Sequence, residues 1–89
     1  MINVKKIAEN RFEVTVRQGA ATSHTVTVSD EDHQRLTAGH DASKEQLLEA
    51  AFRFLLEREP NTSILSSFDI LVITRYFPEF EKKIGDYLE

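Results

Sequence analysis

Two periodicities divide this chain. From Arg11 to Arg17 the order RFEVTVR alternates Phe12, Val14 and Val16 with Glu13 and Thr15, and from Ser23 to Ser29 SHTVTVS sets His24, Val26 and Val28 against Thr25 and Thr27. A period of two sends successive side chains to opposite sides of an extended backbone, so each stretch predicts a strand buried on one face. The intervening QGAAT contains a glycine and has the length of a slightly long hairpin loop, which predicts an antiparallel pair. His24 is read as a half-buried histidine at a strand edge. Upstream, Ile2 and Val4 share a strand face while Ile7 does not. With a turn near Glu9 and Asn10, residues 2–7 predict an outer third strand whose lysines discourage edge-to-edge pairing.

Beyond Ser29 the period changes. Ser43 to Glu59 reads SKEQLLEAAFRFLLERE, where Ser43 and Gln46 form a capping-box pattern and good helix formers follow as far as Pro60. At about 100° per residue, Leu47, Leu48, Ala50, Ala51, Phe52, Phe54, Leu55 and Leu56 cover an arc of roughly 240°. Gln46, Glu49, Arg53 and Glu57 share the remainder, a solvated face with charge pairs at i, i+4. A surface helix needs an apolar stripe of little more than about 100°. This helix therefore predicts cover on nearly all sides, by the rest of the chain or by a second copy.

The flanking segments are weaker. Ser29 or Asp30 caps a short helix through Leu36, with Leu36 and Ala38 as its only apolar residues for burial and Gly39 at its end. After Pro60, Asn61 or Thr62 caps a single turn. The segment SSFDILVITRYF carries both signals. Ile70, Val72, Ile73 and Thr74 are β-branched and suit a strand, whereas a cap at Ser66 or Asp69 and the spacing of Phe68, Leu71, Val72, Arg75 and Tyr76 suit a helix. Helix is the preferred reading of residues 68–77 and strand the alternative. Pro78 sits in the first turn of a final helix, PEFEKKIGDYL, with Phe80, Ile84 and Leu88 as its stripe and Gly85 weakening it.

These elements predict an α+β fold in a single domain, residues 1–89. An antiparallel hairpin or three-stranded meander (residues 1–29) is followed by a helical part (residues 30–89) with three to four helices around the central one. Composition agrees, at 40% hydrophobic and 29% charged with three glycines and two prolines. The chain has no cysteine, which removes disulfides and thiolate metal sites. No stretch has the length of a membrane span or the apolar core of a signal peptide, so a cytoplasmic location is expected. Residues 1–28 carry a net +2, so the total of −4 leaves −6 for the remainder. That balance disfavours nonspecific nucleic-acid binding by the helical part.

Little in the chain carries chemistry. His33 and His40 lie near Asp30, Asp32 and Asp41, but their spacing matches no zinc motif, and solvated loop residues are the expected role. No serine has a nucleophile-elbow context, Gly19, Gly39 and Gly85 are isolated, and the carboxylates are scattered. No enzyme activity and no cofactor are expected.

Two resemblances remain. Thr25 to Arg58 runs strand, short acidic-capped helix, glycine turn, serine-capped helix, an order that resembles the ribbon-helix-helix family of dimeric DNA-binding repressors. The resemblance implies a transcriptional regulator or antitoxin in which Thr25 and Thr27 face bases and Ser43 and Lys44 meet phosphate. Separately, FRFLLEREP at Phe52 to Pro60, SIL at Ser63 to Leu65, FDI at Phe68 to Ile70 and RYFPEF at Arg75 to Phe80 look like a family of small bacterial proteins with no assigned activity. That resemblance implies a bacterial, cytosolic origin. The preferred functional expectation is a non-catalytic, homodimeric protein-interaction or regulatory module, with the DNA-binding regulator as the alternative. Phe52, Leu55 and Leu56 are expected at or near the dimer interface. Arg75, Tyr76, Phe77 and Phe80 have the residue types enriched in binding anchors, although core packing would claim at least two of the aromatic residues.

Overall fold

The computed structural model describes residues 1–88. It shows an α+β fold with one four-stranded sheet in the order β1-β2-β3-β4. β1 (Ile2–Lys6), β2 (Arg11–Gln18) and β3 (Ala20–Thr27) form an antiparallel meander, and β4 (Ser67–Asp69) pairs with β3 in parallel. The connection from β3 to β4 carries α1 (Asp30–Leu36), α2 (Lys44–Leu56) and one 3-10 turn (Asn61–Ser63). α3 (Val72–Tyr76) and α4 (Phe80–Tyr87) follow.

The meander obeys its alternation. Phe12, Val14 and Val16 on β2 and His24 and Val26 on β3 are buried, while Glu13, Thr15, Thr25 and Thr27 between them stay half-exposed. Pairing joins Val14 to His24 and Phe12 to Val26, so the buried residues share the face against which the helices lie. The hairpin is tighter than QGAAT suggests. Gln18 pairs with Ala20, and Gly19 alone turns the chain at a φ of +75°, a backbone shape in which a side chain is strained. The expected third strand forms at β1, where Ile2 and Val4 lean on the core and Ile7 remains exposed.

α2 is the spine of the other layer. Its capping box is complete: Ser43 Oγ accepts from the Gln46 N–H at 3.0 Å, and Gln46 Oε1 accepts from the Ser43 N–H at 2.8 Å. Its seven residues Leu47, Leu48, Ala50, Ala51, Phe52, Phe54 and Leu55 are all buried, with β1 on one side and α1 and α4 on others. The cover demanded by the wide apolar arc thus comes from within one chain. Phe54 shows how. Its ring meets Phe80, Tyr87 and Phe77 edge-on, at centroid distances of 5.1, 5.8 and 5.9 Å, and the Arg58 guanidinium lies 3.6 Å from its centroid. Edge-to-face contacts of this kind add to area burial because ring edges are electropositive and ring faces electronegative.

Three expectations are corrected. In residues 68–77 the preferred helix forms only from Val72 to Tyr76, and the β-branched Ile70, Val72, Ile73 and Thr74 make no strand; the extended piece is Ser67–Asp69, just before them, beside β3. The Asp69 carboxylate accepts from the Leu71 N–H at 2.9 Å, turning the chain between the two. α2 also ends at Leu56, before the stop signal at Pro60, with the Arg58 and Glu59 N–H groups both closing on the Leu55 carbonyl. In α1, Leu36 is buried but Ala38 is exposed; Asp32 and Thr37 take the protected positions.

Candidate interaction site

An apolar cleft of about 360 Å³ opens where the C-terminal end of α2, the chain entering β4, and α3 meet. Leu55 and Ile73, both buried, form its floor. Ile64, Leu65 and Phe68 make one wall and Val72, Tyr76 and Phe77 the other. Two of these side chains stand largely in water, Tyr76 at 66% exposure and Leu65 at 46%. Large apolar groups left exposed on opposite walls of one groove are uncommon on a chain this small.

The first wall is held by a buried polar chain. His24 is 2% exposed, its Nδ1 is 2.7 Å from the Leu65 carbonyl oxygen, and its Nε2 is 2.8 Å from Thr22 Oγ1. A carbonyl only accepts, so Nδ1 carries a hydrogen and donates it, while Nε2 and the Thr22 hydroxyl share the second bond. Thr22 Oγ1 accepts in turn from Asn61 Nδ2 at 3.0 Å, and the same amide donates to the Ala20 carbonyl at 2.8 Å. The strand-edge role expected of His24 is therefore replaced by a core role. β4 covers the edge of β3, and the ring packs against Phe52 at a tilt of 50°, with centroids 5.4 Å apart. Among the described residues, no buried side-chain polar atom lacks a partner.

Beside this wall runs a strand edge. The Thr25 N–H donates to the Ser66 carbonyl at 2.8 Å and the Ile70 N–H to the Thr27 carbonyl at 3.0 Å. Even-numbered residues here direct backbone groups at β3, so Ser67 and Asp69 direct theirs away from it. β4 has no strand on that outer side among the described residues.

The residues singled out from sequence are dispersed. Phe52, Leu55 and Phe80 are buried by their own chain, Phe52 and Leu55 because β1, α1 and α4 cover α2 and Phe80 because α4 packs on α2. A surface through Phe52 and Phe80 is therefore not available, and Leu55 is met only as the cleft floor. Leu56 is half-buried, Arg75 exposed, Phe77 half-buried, and Tyr76 exposed on the cleft rim. Leu55, Tyr76 and Phe77 come together there, with Ile64, Leu65 and Phe68, which sequence reasoning did not single out. Thr25 and Thr27 lie on the sheet face away from the helices, with β2 on one edge of their strand and β4 on the other. Ser43 caps α2. Lys44, with a side chain only 14% exposed, binds Asn10 Oδ1 at 2.7 Å and Asp30 Oδ1 at 2.5 Å, tying α2 to the β1–β2 turn and to α1.

The remaining titratable groups serve the scaffold. His33 Nε2 donates to the Ala42 carbonyl at 2.6 Å and so pins the loop before α2. The hydrogen bond and charge of Lys44 hold the Asp30 carboxyl below its ordinary value. Glu79 is also lowered, first by its own backbone N–H and then by Arg58. Among the described residues, no group of three or more histidines and carboxylates is placed to hold a metal ion, and no helix is long and apolar enough to cross a membrane. The arrangement can offer apolar contact and backbone hydrogen bonds side by side. No family model matches this chain, and neither a curated protein nor a solved structure matches it.

Proposed function

We propose that this chain is a non-catalytic protein-interaction module. An extended segment of a partner lies along the outer edge of β4 and places a large apolar side chain in the cleft between Leu65 and Tyr76. The observation that carries this reading is the coincidence of an open apolar groove with outward-facing backbone groups on Ser67 and Asp69. Added strands take affinity from main-chain hydrogen bonds and specificity from pockets for alternate side chains. The groove supplies one such pocket. The bacterial, cytoplasmic setting implied by the FRFLLEREP and RYFPEF resemblance belongs to the same proposal.

A library of random peptides, selected against the purified chain and counter-selected against Tyr76→Ser, tests it. Enriched peptides should share a large apolar residue, lose about tenfold or more in affinity for Tyr76→Ser and Leu65→Glu, and shift the amide resonances of Ser67 and Asp69. No enrichment, or binders that shift only distant amides, would overturn the proposal.

A further inference from the structure

The opposite edge of the sheet is also open, and its pattern is more specific. Met1 N donates to the Arg17 carbonyl at 3.0 Å, Arg17 N to the Met1 carbonyl at 2.9 Å, and Ile7 N to the Arg11 carbonyl at 3.0 Å. Odd-numbered residues along β1 therefore turn their backbone groups to β2, and Ile2, Val4 and Lys6 turn theirs outward. Ile2 pairs with Val16, Val4 with Val14 and Lys6 with Phe12, so these three side chains lie on the face that the helices cover. Ile2 lines an open cleft there with Leu56, Glu49, Arg53 and Glu57. Arg53 is paired with Glu49 at 3.1 Å. Glu57 accepts from the Tyr87 hydroxyl and has Arg58 at 3.7 Å, yet its side chain stays 60% exposed; the Met1 ammonium lines the same cleft, so its formal charges balance and Glu57 is its exposed carboxylate without a partner in the lining.

We infer that this edge receives a second copy of the chain, with the two β1 strands antiparallel about a twofold axis at Val4 and one continuous sheet running through both copies. The register follows from the strand itself. Outward backbone groups occur only on even-numbered residues, so an antiparallel self-pairing must set even against even. Centring on Lys6 would place two lysines face to face, which is repulsive. Centring on Lys5 would also set two lysines face to face, and centring on Ile2 or Asn3 would leave Lys6 opposite no residue of β1. Centring on Val4 sets Val4 against Val4 and Ile2 against Lys6, and every residue of β1 is then opposed. Lysines on an edge normally repel an incoming strand. In this register, Lys6 of the second copy stands beside Ile2, at the cleft where the Glu57 carboxylate is exposed, and Lys5 stands opposite Asn3. The contact is isologous and closes at two copies. Leu56, half-buried in the single chain and lining the same cleft, gains apolar cover from the pairing.

β1 and β4 are opposite edges of the sheet, so peptide binding at β4 and pairing at β1 fail or succeed separately. Sedimentation and light scattering over about 5–500 µM should give a two-chain mass for the natural chain. Lys6→Glu and Glu57→Lys should each raise the dissociation constant about tenfold or more, and the combined Lys6→Glu/Glu57→Lys chain should recover to within about threefold. Val4→Pro removes an outward N–H without breaking a bond to β2 and should also weaken the pair; circular dichroism of each variant checks that it is folded. A one-chain mass throughout, masses beyond two chains, a dimer indifferent to Lys6→Glu and Val4→Pro, or no recovery in the combined variant would each overturn the inference.

Discussion

His24 Nδ1 lies 2.7 Å from the carbonyl oxygen of Leu65, 41 positions further along the chain, and this bond ties β3 to the wall of the cleft. The ring bridges two parts of the molecule that share no regular strand pairing at that point. Its other nitrogen continues through Thr22 to Asn61. A buried polar chain of this kind is stabilising only when complete, because each orphaned group would keep its full desolvation cost.

Replacing His24 by Phe keeps a ring against Phe52 but leaves the Leu65 carbonyl and the Thr22 hydroxyl without their partner. A loss of about 1–3 kcal/mol is expected in urea unfolding. Asn61→Leu should cost a similar amount, and the double variant should depart from additivity by about 0.5 kcal/mol or more because both act through Thr22. Strict additivity would show that the three side chains do not work as a unit.

Phe54 and Arg58 form the second testable pair. Phe54→Ala empties the centre of four aromatic and cationic contacts and should cost roughly 3–5 kcal/mol. Arg58 rests its guanidinium over the ring while donating to the Phe54 carbonyl at 3.0 Å and to Glu79 at 3.3 Å. A lysine cannot reproduce that planar, multiply bonded position, so Arg58→Lys should cost about 0.5–2 kcal/mol in thermal unfolding. Unchanged stability in Arg58→Lys would mean the stacking contributes nothing.

Acid should weaken the Lys44 tie. Lys44 lowers the Asp30 pKa in the folded chain, so the contribution of the pair is full above the unfolded value and is lost as pH falls through the lower folded one. Asp30→Asn should therefore be less stable than the natural chain at neutral pH. The gap should close as pH drops below the ordinary value of 3.8. A gap that persists unchanged into acid would point to the lost side-chain geometry rather than the charge.

Gly85 lies inside α4, where a Cβ would come within 3.1 Å of His40 Nε2. Gly85→Ala gains up to about 1 kcal/mol of helix propensity and spends it displacing that imidazole. The single substitution should leave the melting temperature close to that of the natural chain. With His40→Ala as background, the same change should stabilise by roughly 0.5–1 kcal/mol. Equal effects in both backgrounds would show that His40 is not the obstacle.

The elements whose local pattern repeats were legible from the residues alone. Period-two alternation in RFEVTVR and SHTVTVS defined the buried face of the meander, and Ser43 with Gln46 marked the start of α2, because each signal lies within a few neighbouring positions. The cleft was only half legible: Tyr76 and Phe77 stood out as anchor types, but Ile64, Leu65 and Phe68 carry no signal that separates a groove wall from a core. Three decisions belonged to the tertiary structure. Ser67–Asp69 is extended because β3 offers it an edge, a partner that its own β-branched and helix-capping neighbours could not specify. His24 is buried because the Leu65 carbonyl and the Thr22 hydroxyl reach both of its nitrogens. The apolar circumference of α2 demanded cover without naming its source, since hydrophobic burial is non-directional. β1, α1 and α4 folded around it, and the open edges passed to β1 and β4.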